Sequence, residues 1–435
     1  MMRKNLLRVS LVLFSCCLTS PLFAATSGVC NYDVTQDKFT VVQEYKATAI
    51  KGWYSDTFST PVTTVNNIVY YVYVTPGLKA RVGKIANGVV SEYDLDPGWT
   101  VTNDGHNEFS IALDKDGYVH VMGDMHNKSF RYWRSNTPYS LTTFTRHFGE
   151  IPGDNFTYNM FRTDNNGDLY MMARARVLKS YNAIGGRGVG VYKYDTATKQ
   201  WSALGAIPIF PNAVQKTVAW ENSAEGGGNY QMFKPDLRFD KNNRMHLTVA
   251  LNNDNASNGR NYAIYGYSDD NGKTFRRAST ALITPMPMRV DAGSSQADVV
   301  DGYKNANMGE HSGILLNSNN AVGVYFSIDN GTWYRNYANS AWSGRQSLIS
   351  GSQCDRCMTL SDQDNGVMTV VAGSKWYRFT DFGKKPVATS LSSTILRWDL
   401  RALRDKHVYR GVAWNSSTGV WQIIRVDVSN PTKCY

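Results

Sequence analysis

The sequence predicts an all-β chain folded as a seven-bladed β-propeller. Three observations carry that expectation. Short apolar or aromatic stretches alternate with turns of Gly, Asn and Asp along the chain, as in an antiparallel meander. No long stretch of Ala, Leu, Glu and Lys repeats every 3.6 residues, whereas 26 Tyr, 11 Trp and 36 Gly supply β formers and turn formers. A unit of strand, polar turn, strand, gap, strand, turn and aromatic recurs every roughly 40–45 residues, the period of propeller blades.

The first 24 residues read as a signal peptide. Basic Arg3, Lys4 and Arg8 precede an apolar stretch from Val9 to Leu18, and Pro21 and the small pair Ala24 and Ala25 follow, so cleavage is expected near Ala24. Leu13-Phe14-Ser15-Cys16 loosely resembles a lipobox, although the leader continues beyond it. No later segment approaches the roughly 18 consecutive apolar residues of a spanning helix. Residues 25–435 are therefore expected to form one soluble propeller domain, secreted or periplasmic and monomeric. Loss of the leader's three basic residues takes the formal charge from +10 to about +7. A basic exported protein favours an acidic polymer, although such charge also simply suits solubility.

The units follow in order. An initial one occupies about 60 to 98. The second runs FSIALDKDGYVHVMGD and then SFRYWRS, from Phe109 to Ser135; the third runs MFRTDNNGDLYMMARA and then GVGVYKYDTATKQW, from Met160 to Trp201. The fourth runs DLRFDKNNRMHLTVAL and then YAIYGYSDDNGKTF, from Asp236 to Phe275. Weaker copies occupy about 311 to 350, 358 to 391 and 396 to 430. The segment from about Phe39 to Trp53 precedes the first full unit and is available to complete the last blade, hiding two open sheet edges. Within the fourth unit, Ser268-Asp269-Asp270-Asn271-Gly272-Lys273-Thr274-Phe275 matches the Asp-box pattern, in which Asp270 bonds turn amides and Gly272 takes positive φ. That role is structural.

Of six cysteines, Cys16 and Cys17 leave with the leader. Cys30 and Cys434 stand near the two mature ends, and pairing them would close the ring. Cys354 and Cys357 form a CxxC with no second CxxC and no nearby histidine, which favours a local disulfide over a redox or zinc site.

Chemistry concentrates between 104 and 187. Asp104-Gly105-His106-Asn107 precedes one inner strand and His126-Asn127 follows the next, so both histidines face one rim of the ring. Two imidazoles there suit binding an acid or a metal, or moving a proton; hydrogen-bonded turn histidines are the plainer alternative. His311 starts a later inner strand and is placed to reach the channel, while His120 points into a strand and reads as structural.

This block resembles the BNR-repeat propellers that include ulvan lyases and rhamnose–glucuronate lyases. Those proteins read DGHN, inner strand, D-x-DGY-hydrophobic-H, M-HN, RYxRS; this chain reads DGHNEFSIALDKDGYVHVMGDMHNKSFRYWRS. Thr157-Tyr158-Asn159, Gly167-Asp168-Leu169, Ala173-Arg174 and Gly185-Gly186-Arg187-Gly188 resemble the next blade, with Asn159 in place of proline and Ala173 in place of an aromatic. The third matching blade reads LTVALNND where a Trp and an Arg are expected.

The resemblance implies a secreted polysaccharide lyase that cleaves a uronate-containing glycan by β-elimination, with an ulvan-like or rhamnose–glucuronate polymer as partner. It implies catalytic places for His106, His126, Tyr158 and Arg174. Tyr158 would serve as base, acid or both, the histidines as alternative base and charge neutraliser, and Arg174 would hold the carboxylate with its planar fork. A tyrosine with an ordinary pKa near 10 needs a neighbouring cation to act as a base. Asn107, Asn127, Arg187, Lys234 and His311 are candidate substrate-binding residues, and Arg238 joins Lys234 as a candidate lining for an acidic subsite. Two other classes stay open: a non-catalytic carbohydrate-binding propeller, and a sialidase-like glycoside hydrolase, whose carboxylate pair or arginine triad does not assemble from this sequence. Nucleic acid is not an expected partner, since no basic run occurs. No cofactor is required. Structural calcium or zinc remains open, with no EF-hand loop and only half a zinc set in His106 and His126.

Overall fold

The computed structural model describes residues 32–53, 59–151, 156–176, 187–206, 216, 218–220, 230–232, 235–253, 260–288, 297–304, 308–352, 354, 357–362, 366–399 and 408–432. Its strands form seven antiparallel sheets of four or five strands, the blades of a propeller. The inner strands of blades 1 to 3 are Val62–Val65, Ser110–Leu113 and Thr157–Thr163. Blade 4 opens with the short pieces Tyr230–Met232 and Asp236–Phe239, blade 5 with Met308–Leu316, blade 6 with Met358–Asp362 and blade 7 with Arg397–Trp398. Each sequence unit thus maps onto one blade.

Packing shows why these sheets make a ring. Each blade buries both faces, and seven separate apolar clusters lie between neighbours. Tyr70, Val72 and Val82 of blade 1 meet Ile111, Val121 and Trp133 of blade 2, and comparable clusters join every following pair. The seventh cluster brings Val412, Trp421 and Ile423 of blade 7 against Val62, Val69 and Tyr71 of blade 1. Burial of Tyr and Trp between sheets supplies the main driving force, at about 25 cal/mol per Å² of apolar surface.

Closure follows the expected exchange. The N-terminal strand Lys38–Thr48 pairs antiparallel with Val420–Ser429 as the outermost strand of blade 7. A polar clasp accompanies it. Asp37 accepts from Tyr32 Oη and Asn430 Nδ2, each at 2.7 Å, and its other oxygen takes Arg378 Nη1 of blade 6 at 2.5 Å. Cys30 and Cys434 lie outside the described residues, but the ends do meet: Asp33 N–H donates to Thr432 Oγ1 at 3.0 Å. Cys354 and Cys357 form a disulfide.

Blades 2 to 5 share one turn between their first two strands. Asp114, Asp164, Asp240 and Asn317 each accept through one side-chain oxygen from the amides two and four residues on. The Asp-box turn is also present. Asp270 accepts from Ser268 Oγ, Thr274 N–H and Thr274 Oγ1, and Gly272 sits at φ +84° where a Cβ would come within 2.6 Å of Leu204. His120 is buried and structural, as its strand position suggested: Tyr132 Oη donates to its Nδ1 at 2.7 Å and its Nε2 faces Asp114 at 3.1 Å. His246 of blade 4 repeats this arrangement with Tyr265 at 2.6 Å and Asp240 at 3.5 Å.

Candidate active site

The site begins with a turn. Asp104 Oδ1 accepts the His106 backbone N–H at 3.0 Å, and Asn107 N–H closes the turn onto Asp104 O at 3.0 Å. The turn delivers His106 to the rim just before the inner strand of blade 2. On the far side of that blade's hairpin, His126 follows the strand Val119–Met122. Asn107 stitches the two segments together: its Oδ1 accepts His126 N–H at 2.8 Å and its Nδ2 donates to Thr102 O at 3.0 Å.

Both imidazoles lean on one carboxylate. His106 Nδ1 lies 3.0 Å from Asp104 Oδ1 and His126 Nδ1 lies 2.6 Å from Asp104 Oδ2. The rings stack with centroids 4.1 Å apart and planes 29° apart. Burial alone pushes the Asp104 carboxyl upward, but the His106 backbone amide and the two imidazoles outweigh it and hold it at about 2. Asp104 is therefore an anion at any ordinary working pH.

Blade 3 supplies the second half. A bulge between Thr157 and Met160 puts Tyr158 at φ +60°, a left-handed conformation that costs a non-glycine residue on the order of 1 kcal/mol and recurs at functional sites. The bulge aims the phenol at the histidines, with 6.2 Å between the ring centroids of Tyr158 and His106. Arg174, across the hairpin and paired with Thr157, is buried and sets its guanidinium 4.5 Å above the Tyr158 ring. Asn159, which stands where the resembled family has proline, uses its amide to sew blades together. Its Nδ2 donates to Glu108 O at 3.1 Å, and its backbone carbonyl accepts from Ser110 Oγ at 2.9 Å.

His106, His126, Tyr158 and Arg174 thus meet at one rim. Of the five residues expected to bind substrate, Asn107 is buried with both ends of its amide engaged in the protein, so its place is structural. Asn127 is half-buried at φ +52°, and its backbone N–H donates to Thr157 Oγ1 next to Tyr158. Lys234 lies outside the described residues. Arg187 and His311 lie on the strands Arg187–Asp195 and Met308–Leu316, with side chains outside the description. Arg238 does not line a subsite: it is buried, its Nε donating to Asp236 and its Nη2 to Thr359 O. Asp104 is the residue that motif reading passed over. The DGHN string contains it, but its link to His126 spans 22 residues of sequence.

Asp104, His106 and His126 also bring one potential ligand atom each within 4.8 Å of the others, a grouping found once among the described residues. Two imidazoles and a carboxylate suit zinc and not calcium, which takes a shell of oxygens. In the geometry present, however, each Nδ1 is turned onto a carboxylate oxygen at hydrogen-bonding distance, so the three groups satisfy one another.

A closed ring of seven blades with a polar, partly sheltered cluster on one rim defines the class: a propeller carrying a single-sector site. Residues 66–347 match the BNR repeat-containing family, and the chain belongs to that family. Among solved structures it is similar to a PL25 ulvan lyase bound to -[GlcA(1-4)Rha3S]-, at 10% identity and TM-score 0.60 over 87% of this chain and 95% of the other. It is also similar to the polysaccharide lyase Uly1, at 12% identity and TM-score 0.57 over 88% and 92%. Identities this low make the likeness one of fold. No curated protein matches the chain in sequence. No helix among the described residues is long and apolar enough to cross a membrane.

Proposed function

We propose that this protein is a secreted polysaccharide lyase acting on a glycan that contains uronic acid. The observation that carries the reading is the convergence of a carboxylate-braced imidazole pair and an arginine-covered tyrosine at one rim. Its propeller, shared in fold with two polysaccharide lyases, gives the reading its context.

β-Elimination needs three things, and the cluster offers a group for each. Arg174 holds the uronate carboxylate and withdraws charge, which makes the proton at C5 removable. A base takes that proton, the C5–H electron pair becomes the C4=C5 double bond, and the C4–O bond breaks. The departing oxygen leaves with a proton from an acid. Tyr158 and the histidine pair divide the acid and base duties. The ring's partial shelter raises the worth of each charge–charge contact.

Purified mature protein incubated with ulvan or a rhamnose–glucuronate polymer should release unsaturated uronate, read as new absorbance near the ultraviolet edge. Tyr158→Phe should abolish that signal while leaving the melting temperature close to that of the parent. Release of saturated sugars only, or tight glycan binding with no product, would replace the lyase reading with a hydrolase or a binding module.

A further inference from the structure

We infer that Asp104 is a positioning residue that fixes both His106 and His126 as their Nδ1–H tautomers, so that Nε2 is the nitrogen without a hydrogen in each neutral ring. This deepens the lyase reading and rests on it for its catalytic consequence, but the tautomers themselves do not depend on any substrate.

The argument is one of donor and acceptor count. A carboxylate that is ionised can only accept, and Asp104 is an anion far below neutrality. Each of its oxygens faces a different imidazole, through Nδ1 in both cases. Each Nδ1 must therefore carry the hydrogen, and in a neutral ring the other nitrogen must then be bare. Asp104 cannot swing away to relieve this. Its Oδ1 also accepts the His106 amide, and its own N–H and C=O are tied into the turn through Thr102 O and Asn107 N–H. Asn107 fixes the distance between the two histidine segments from the other side.

The same chain contains the opposite arrangement, which serves as an internal contrast. His120 faces Asp114 through Nε2 and receives the Tyr132 hydroxyl at Nδ1, so the hydrogen sits on Nε2. His246 receives the Tyr265 hydroxyl at Nδ1 likewise. Those two rings are buried, with no nitrogen presented to a ligand. His106 and His126 are about a quarter exposed, and both meet Asp104 through Nδ1 rather than Nε2. An Nε2 without a hydrogen is a proton acceptor and has no N–H to offer a carboxylate. Carboxylate recognition thus falls to Arg174, and proton removal to the imidazole side of the cluster.

Tautomers are read directly from imidazole ¹⁵N shifts and two-bond ¹H–¹⁵N correlations in the full mature protein, above the pH at which the rim histidines protonate. His106 and His126 should give Nδ1–H patterns and His120 and His246 Nε2–H patterns. Asp104→Asn offers one acceptor and one donor in place of two acceptors, so one of the two rim histidines should switch to Nε2–H. Asp104→Glu should restore two Nδ1–H patterns. An Nε2–H pattern for both rim histidines in the parent, or an unchanged pair in Asp104→Asn, overturns the inference. Where lyase activity is present, Asp104→Asn should lower kcat at least tenfold with KM changed less than threefold. If the spectra come out as stated and no unsaturated product forms with any acidic glycan, the lyase reading fails and the tautomer assignment stands.

Discussion

Asp37→Ala should destabilise the ring far more than its place beside the N-terminal strand suggests. Asp37 and Arg378 each expose only 2% of their side chains, and Asp37 also holds Tyr32 and Asn430. Removing one partner of such a pair leaves the other charge buried and costs about 3–5 kcal/mol. For a chain of roughly 400 residues, an unfolding entropy of about 2.1 cal/mol/K per residue converts each kcal/mol into about 1.2 °C. The expected fall in Tm is thus about 4–6 °C. Calorimetry of the mature protein measures it, with Arg81→Ala as control, because the Arg81–Asp94 pair is about a third exposed and worth under about 1 kcal/mol. Asp37→Ala with Arg378→Met should recover at least about 2 kcal/mol relative to the sum of the single changes, since no charge is then left alone. A fall no larger than the control's, or strict additivity, would refute the clasp as a closing device.

Other consequences are more local. Burial holds the imidazoles of His120 and His246 below their usual range despite the neighbouring Asp114 and Asp240. The unfolded chain therefore binds protons that the fold refuses, and stability contributed by the neutral rings is full above about pH 6.5 and declines as pH falls below it. Melts from pH 8 to 5 should show this slope, and His120→Gln with His246→Gln should flatten it. Asp270→Ala removes the acceptor of three turn donors and should cost about 1–2 kcal/mol in denaturant melts. Arg174→Lys keeps the charge but loses the planar fork, so kcat/KM on a uronate polymer should drop at least about tenfold, whereas a lysine that rescues activity fully would remove the bidentate role.

What could be read in advance follows the range of the interactions involved. Blades were legible because each is a local meander whose strands and turns lie within one unit, and because Asp-box and Asp-x-x-Gly turns use side chains two to four residues away. The exchange of Lys38–Thr48 into blade 7 was legible from a surplus strand at one end. The buried ionic group of Arg162, Asp236 and Arg238 was not, since Arg162 and Asp236 are 74 residues apart and each charge looks like a surface residue until its partner is placed. The site divides the same way. His106, His126, Tyr158 and Arg174 were found through a motif, while the bulge that turns Tyr158 and the carboxylate that joins the histidines exist only between hairpins.

That division bears on how one sector assembles the candidate site. Inner strands of blades 1, 2 and 3 are sewn side by side through Thr60, Ser110 and Asn159, with Thr60 N–H on Ser110 Oγ at 2.8 Å and Phe161 N–H on Thr60 Oγ1 at 3.1 Å. The seam continues through Glu108, which takes the Asn159 amide on its carbonyl and Arg397 of blade 7 on its carboxylate. Glu108 stands two residues from His106, and Asn159 one residue from Tyr158. A proline at 159 has no side-chain donor and could not make the bond to Glu108. Here, then, the left-handed Tyr158 is braced by hydrogen bonds of its neighbour Asn159 to blade 2. Asn159→Pro should accordingly loosen the contact between blades 2 and 3, and amide exchange along 157–161 would register it as lost protection. Exchange unchanged there would mean that the bulge is held by its own hairpin.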